Sequence, residues 1–84
     1  MNKYLINVIV PSIEMEFDVY IPNNKKVGTI KKYILESIKE LSENSYDKML
    51  NEVKFCDRDT GKDYDNNLMV KDTDIKNGTK LIII

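Results

Sequence analysis

Few side chains in this sequence could do chemistry. There is no histidine, so no imidazole can act as a general base near neutral pH, and no Ser–His or Cys–His pair can activate a nucleophile. Cys56 is the single thiol. Asp57 and Asp59 beside it disfavour the thiolate, so Cys56 reads as a small packing residue of a strand rather than as a nucleophile. Asp63, Asp65, Asn67 and Asp74 fall at the first, third, fifth and twelfth places of a calcium loop. Leu68 stands where that loop needs glycine and Asp74 where it uses a bidentate Glu, so the run reads as a solvated acidic turn. Gly61–Lys62 is no phosphate-binding loop, because Cys56 occupies the place of its first glycine and Asp63 that of its Ser or Thr. Lys25, Lys26, Lys31 and Lys32 cluster, but Arg58 is the only arginine and the net charge is -1, which favours a solvated helix face over a nucleic-acid surface. The expectation is no catalytic residue, no cofactor, no metal and no nucleic acid.

The length and composition limit what could position such groups. A chain of 84 residues, 42% hydrophobic and 32% charged, suits a single globular domain over 1–84 with one small core. A lone cysteine forbids an internal disulfide, which suits a reducing compartment. The apolar run Tyr4 to Val10 is broken by Asn7 and ends at Pro11, too short for a membrane span and without a cleavage site, so neither membrane insertion nor secretion is expected. A cytoplasmic location follows.

Periodicity supplies the elements. Tyr4, Ile6, Val8 and Val10 share one parity of a first strand, and Lys3, Leu5, Asn7 and Ile9 the other. After a turn at Pro11–Ser12, Ile13, Met15, Phe17, Val19 and Ile21 alternate with Glu14, Glu16, Asp18 and Tyr20, as a half-buried antiparallel strand requires. Beyond Pro22–Asn24 the period changes. Val27, Ile30, Ile34, Ile38 and Leu41 form one helical stripe, with Lys31, Lys32, Glu36, Lys39 and Glu40 on the remaining surface. Cations come early and anions late, against the helix dipole, and Gly28 weakens the first turn, so burial of the stripe must hold this helix. Ser42 to Asn51 is polar, a loop or one helical turn with Tyr46, Met49 and Leu50 as its contacts. Val53 and Phe55 then alternate with Lys54 and Cys56 in a short third strand, Asp59–Lys62 make a turn, and Tyr64 begins a short returning strand. Leu68, Val70 and Ile75 are expected core anchors, Asn77–Gly78 a turn, and Lys80–Ile84 a last strand. One apolar helix stripe and one apolar face per strand predict an α+β fold, a mixed sheet of four or five strands wrapped over one helix, the β-grasp.

The same residues resemble the ubiquitin-like superfamily over essentially the whole chain. The Met15–Phe17–Val19–Ile21–Pro22 strand exit, the Val27/Ile30/Ile34 stripe and the closing Leu68, Asp72, Ile75, Asn77, Gly78, Thr79, Leu81, Ile83 pattern carry the resemblance. More narrowly, Lys25–Lys26–Val27 entering the helix and the ending at the last strand are similar to the bacterial YukD/EsaB group. That resemblance implies an accessory component of a type VII secretion system, whose partner is a cytoplasmic part of the machine. Conjugated modifiers and sulfur carriers end in a flexible Gly-Gly tail. Here Leu81–Ile84 stand at the end, so the modifier or sulfur-carrier reading is the alternative and would need a tail beyond Ile84.

Strand parity then isolates one surface. In a β-grasp the first and last strands are parallel neighbours. If Ile6, Val8, Leu81 and Ile83 face the helix, Leu5, Ile9, Ile82 and Ile84 face out together. Four adjacent aliphatics approach the size at which an exposed patch marks a contact, and this face is the expected protein-binding site. A homodimer through the same patch is a variant of that reading.

Overall fold

The computed structural model describes residues 2–84. Strand β1 (Lys3–Val10) turns through a single 3-10 turn, with Glu14 in the left-handed region at φ 50°, into β2 (Met15–Pro22). Helix α1 (Val27–Leu41) follows, then β3 (Phe55–Asp57) and β4 (Lys80–Ile83). The sheet order is β2-β1-β4-β3. β1 runs antiparallel to β2 and parallel to β4, and β3 runs antiparallel to β4. Both termini thus supply the central strands, and α1 lies in the crossover that a parallel pair requires.

The core lies between the sheet and α1. Ile6, Val8, Val10, Ile21, Phe55, Leu81 and Ile83 meet Val27, Ile30, Ile34, Leu35 and Ile38, all buried. The parity expected for β1 and β4 is therefore the parity found. On β2 the inward residues Met15, Phe17 and Val19 are half-buried, as befits an edge strand.

Several expectations are corrected. Leu41 is 57% exposed although it shares the stripe, because it is the last residue of α1 and the chain leaves there through Glu43 and Asn44 at positive φ. Leu35 takes a buried place in the core, and so does Tyr46, one of the contacts expected from the polar stretch. Leu68 is exposed too. Its backbone is held at the start of α1, where its carbonyl accepts the Val27 N–H, and Val70 two residues later takes the buried place. No returning strand begins at Tyr64. A single bridge joins Cys56 to Asp63, and the Tyr64 ring is buried with its hydroxyl donating to Asp57 at 3.1 Å. Val53 is half-buried just ahead of β3 rather than within it.

Two sequence puzzles in α1 resolve in tertiary contacts. A Cβ on Gly28 would sit 3.3 Å from the Asn66 carbonyl oxygen, which already accepts the Gly28 N–H, so a residue without a side chain lets the 65–68 segment close on the first helical turn. Lys31 is not a solvated surface residue. Its side chain is 12% exposed, its ammonium donates to Asp63 Oδ1 and the Tyr64 carbonyl at 3.4 Å each, and it lies 5.6 Å from the centre of the Phe55 ring. These contacts join α1 to the segment after β3 without any regular secondary structure between them.

Candidate functional site on the outer face of the sheet

The face of the sheet opposite α1 is built by registered pairing. In one transverse row Glu16 pairs with Ile9, Ile9 with Ile82 and Ile82 with Cys56. The next row holds Asp18, Asn7 and Lys80, and the Arg58 N–H continues it by donating to the Lys80 carbonyl. On the other side of the isoleucine row, Ile84 and Lys54 exchange both backbone hydrogen bonds. Residues two apart on a strand share a face, so the strand residues of these rows share one surface, and Lys54 and Arg58 flank β3 in the same backbone register. Ile9 and Ile82 are half-buried there, Ile84 is 62% exposed and Leu5 37%.

The four aliphatics are not one patch. Ile9, Ile82 and Ile84 adjoin, but Leu5 lies beyond the Asp18–Asn7–Lys80 row and pairs with Tyr20. Register, which parity alone does not supply, separates them. The Leu5 end is fixed by the Asn77–Gly78 turn. The Asn77 side chain accepts the Leu5 N–H at 2.7 Å, the Gly78 N–H donates to the Leu5 carbonyl, and Gly78 takes φ +88°. A shallow depression of about 550 Å³ lies here, lined in part by Leu5, Asn7, Asp18, Tyr20, Asn77 and Lys80.

Polar chemistry on the face is sparse. The Asn7 side-chain nitrogen donates to Asp18 at 3.0 Å, and the amide oxygen is buried without a hydrogen-bond partner. Cys56 is a half-buried residue of β3 on this outer face, beside Ile82. Among the described residues no cluster of His, Cys, Asp or Glu could hold a metal ion. Nor is any helix among them long and apolar enough to cross a membrane. Asp63 and Asp65 accept local backbone hydrogen bonds, and Asp63 also holds Lys31 of α1. The Tyr64 and Asn67 backbone N–H groups donate to Asp63 and Asp65, and Asp74 lies 3.7 Å from the Lys62 ammonium. Asp57 sits where the inner face meets this turn. Burial alone would raise its pKa, but the Asp59 and Thr60 N–H groups and the Tyr64 hydroxyl hold its carboxyl below the usual range. Burial, reinforced by the Asp57 charge, pushes the Tyr64 phenol far above its ordinary value.

No protein-family profile matches the chain. No curated protein matches it either. Solved structures do. The EccD5 ubiquitin-like domain from Mycobacterium xenopi superposes with a TM-score of 0.76 at 12% identity, over 100% of this chain and 94% of that one. A chain of the MycP5-free ESX-5 inner membrane complex superposes with a TM-score of 0.76 at 13% identity over 100% of this chain, which spans only 21% of that protein. Caldiarchaeum subterraneum ubiquitin gives a TM-score of 0.69 at 8% identity, over 96% of this chain and 90% of that one. The fold is the ubiquitin-like β-grasp, a four-stranded mixed sheet on one helix.

Proposed function

We propose that this chain is a non-catalytic ubiquitin-like interaction module that docks on a protein partner through the outer face of its sheet, with Leu5, Ile9, Ile82 and Ile84 as the contacts. The observation that carries the reading is the pairing of Ile9 with Ile82 on a face that no helix covers, with Ile84 beside them. Apolar side chains in register on an open sheet are a surface for protein contact, and Leu5 beside the depression next to Tyr20 offers a second point of attachment.

The narrower proposal is an accessory component of a bacterial type VII secretion system, working in the cytoplasm in the manner of the YukD/EsaB group. Its support is the residue pattern around Lys25–Val27 and the likeness of fold to EccD5, a type VII component. The partner on this reading is a cytoplasmic part of the machine.

The test is a double substitution, Ile9→Asp with Ile82→Asp. Two carboxylates on the apolar row should abolish co-purification with the secretion components while the circular dichroism spectrum stays that of the folded protein. Unchanged co-purification would refute the face assignment.

A further inference from the structure

We propose that this face seats a second copy of the same chain, packed sheet to sheet about a two-fold axis parallel to the strands and passing between β1 and β4. The inference rests on the docking role given to the face above and adds a second occupant, a copy of the chain that competes with the secretion partner for the same residues. It comes from the distribution of charge across the strands. The outward carboxylates Glu16 and Asp18 lie on β2, at one edge of the sheet. Three outward cations lie at the other side, Lys80 on β4 with Arg58 and Lys54 in register with β4 at the β3 edge, and Lys3 at the far end of β1 is the exception. Ile9 and Ile82 occupy the middle.

A two-fold interface must be self-complementary, because each residue meets its counterpart's neighbours twice. A two-fold axis along the strands exchanges β2 with β3 and β1 with β4. Asp18 then faces Arg58 of the second copy, Asn7 faces its Lys80, and Ile9 faces its Ile82. An axis across the strands would instead lay β2 on β2 and carboxylate on carboxylate, so the charge pattern selects one arrangement. Aligned sheets pack about 10 Å apart with a crossing of about 30°, which keeps the central rows in contact while the corners diverge. Both helices then lie on the outside of the pair.

Four strands at about 4.8 Å spacing are only about 19 Å across, so this interface belongs at the small end of specific contacts and the dimer is weak. Sedimentation velocity and light scattering of the full chain between about 10 µM and about 1 mM should show a monomer–dimer equilibrium. The dissociation constant should be on the order of 100 µM and weaken at least about threefold as salt rises from about 0.05 to about 0.5 M. Asp18→Arg alone and Arg58→Asp alone each set like charges face to face twice and should weaken the dimer at least about tenfold. The double variant Asp18→Arg/Arg58→Asp, and an equimolar mixture of the two single variants, restore opposite charges at both contacts and should recover the wild-type constant to within about threefold. Circular dichroism keeps loss of fold apart from loss of association. Wild-type protein that stays monomeric at about 1 mM, or a charge swap that does not recover, overturns the proposal. If the wild type is monomeric while Ile9→Asp/Ile82→Asp still abolishes co-purification with the secretion components, the second copy is the wrong occupant and the docking face stands. If the wild type dimerises and Ile82→Asp dimerises equally, the dimer does not use this face and the proposal falls.

Discussion

The two faces of the sheet are made from alternate residues of the same strands, yet they obey different rules. On the inner face Ile6, Val8, Val10, Leu81 and Ile83 are closed off by α1 and buried in one core. On the outer face Ile9 and Ile82, one residue away from Val8 and Leu81 and of similar chemistry, remain partly open and are flanked by Glu16, Asp18, Lys80 and Arg58. Residue type does not separate the two sets. What separates them is whether a helix lies above, and the contrast teaches that hydrophobicity on this sheet has two uses, one for stability and one left over for contact.

The sharpest way to break that comparison is to put the same charge on each face. Val8→Asp buries a carboxylate with no partner and should cost upwards of about 4 kcal/mol, enough to unfold so small a domain. Ile9→Asp should change stability by less than about 1 kcal/mol and leave the spectrum folded. Urea titration of the two variants checks this, and an Ile9→Asp protein as unstable as Val8→Asp would show that the faces do not differ. A milder version truncates side chains on neighbouring residues of β4. Ile83→Ala should cost about 2–5 kcal/mol through lost contacts and the cavity left behind, whereas Ile82→Ala should cost about 1 kcal/mol or less. The gap in thermal midpoint between them measures how much more of the fold the inner face carries.

The smallest effect tests the exception to the comparison. Asp57 has the inward parity of Phe55, yet it is a carboxylate, tolerated because it sits at the end of β3 where turn N–H groups and the Tyr64 hydroxyl reach it. Its pKa is lower in the folded protein than in the unfolded chain, so its contribution is complete above about pH 4 and fades as pH falls through the folded value. Tyr64 has the opposite sign. Its pKa is raised on folding, so its contribution is complete below about pH 10 and is lost as pH rises beyond that. Tyr64→Phe should cost about 1 kcal/mol at neutral pH and flatten the alkaline loss of stability. Thermal melts across pH 3 to 11 read both limbs, and an alkaline limb unchanged in the variant would remove Tyr64 as its cause.

How far the sequence could be read follows from the range of the interactions involved. The hairpin, the helix and the last strand were legible because alternation and the helical stripe report burial within a few residues, and Asn77–Gly78 announced its turn through the backbone conformation it adopts. The segment from Ser42 to Ile75 was read less well. Tyr46, Leu68 and Tyr64 have no periodic neighbours to fix their direction, and tertiary hydrogen bonds such as Leu68 O to the Val27 N–H set it instead. Lys31 is a similar case. Nothing within its helix shows that an ammonium there will be drawn over Phe55 and between Asp63 and the Tyr64 carbonyl. Cys56 could be placed on a strand but not on a face, since β3 is only three residues long and carries too little alternation.

By itself the sequence determined the fold class, the order of the hairpin, the helix and the last strand, and the inward and outward sets of β1 and β4, because strand and helix periods are local properties of the backbone. The lack of histidine and the single cysteine likewise follow from the sequence alone and remove the imidazole-based catalytic groups. Only the tertiary structure decided that Leu5 stands apart from Ile9, Ile82 and Ile84, and that Glu16 and Asp18 on β2 lie across the face from Lys80, Lys54 and Arg58. Those facts depend on register between strands distant in the chain, which long-range backbone hydrogen bonds set and no local pattern encodes.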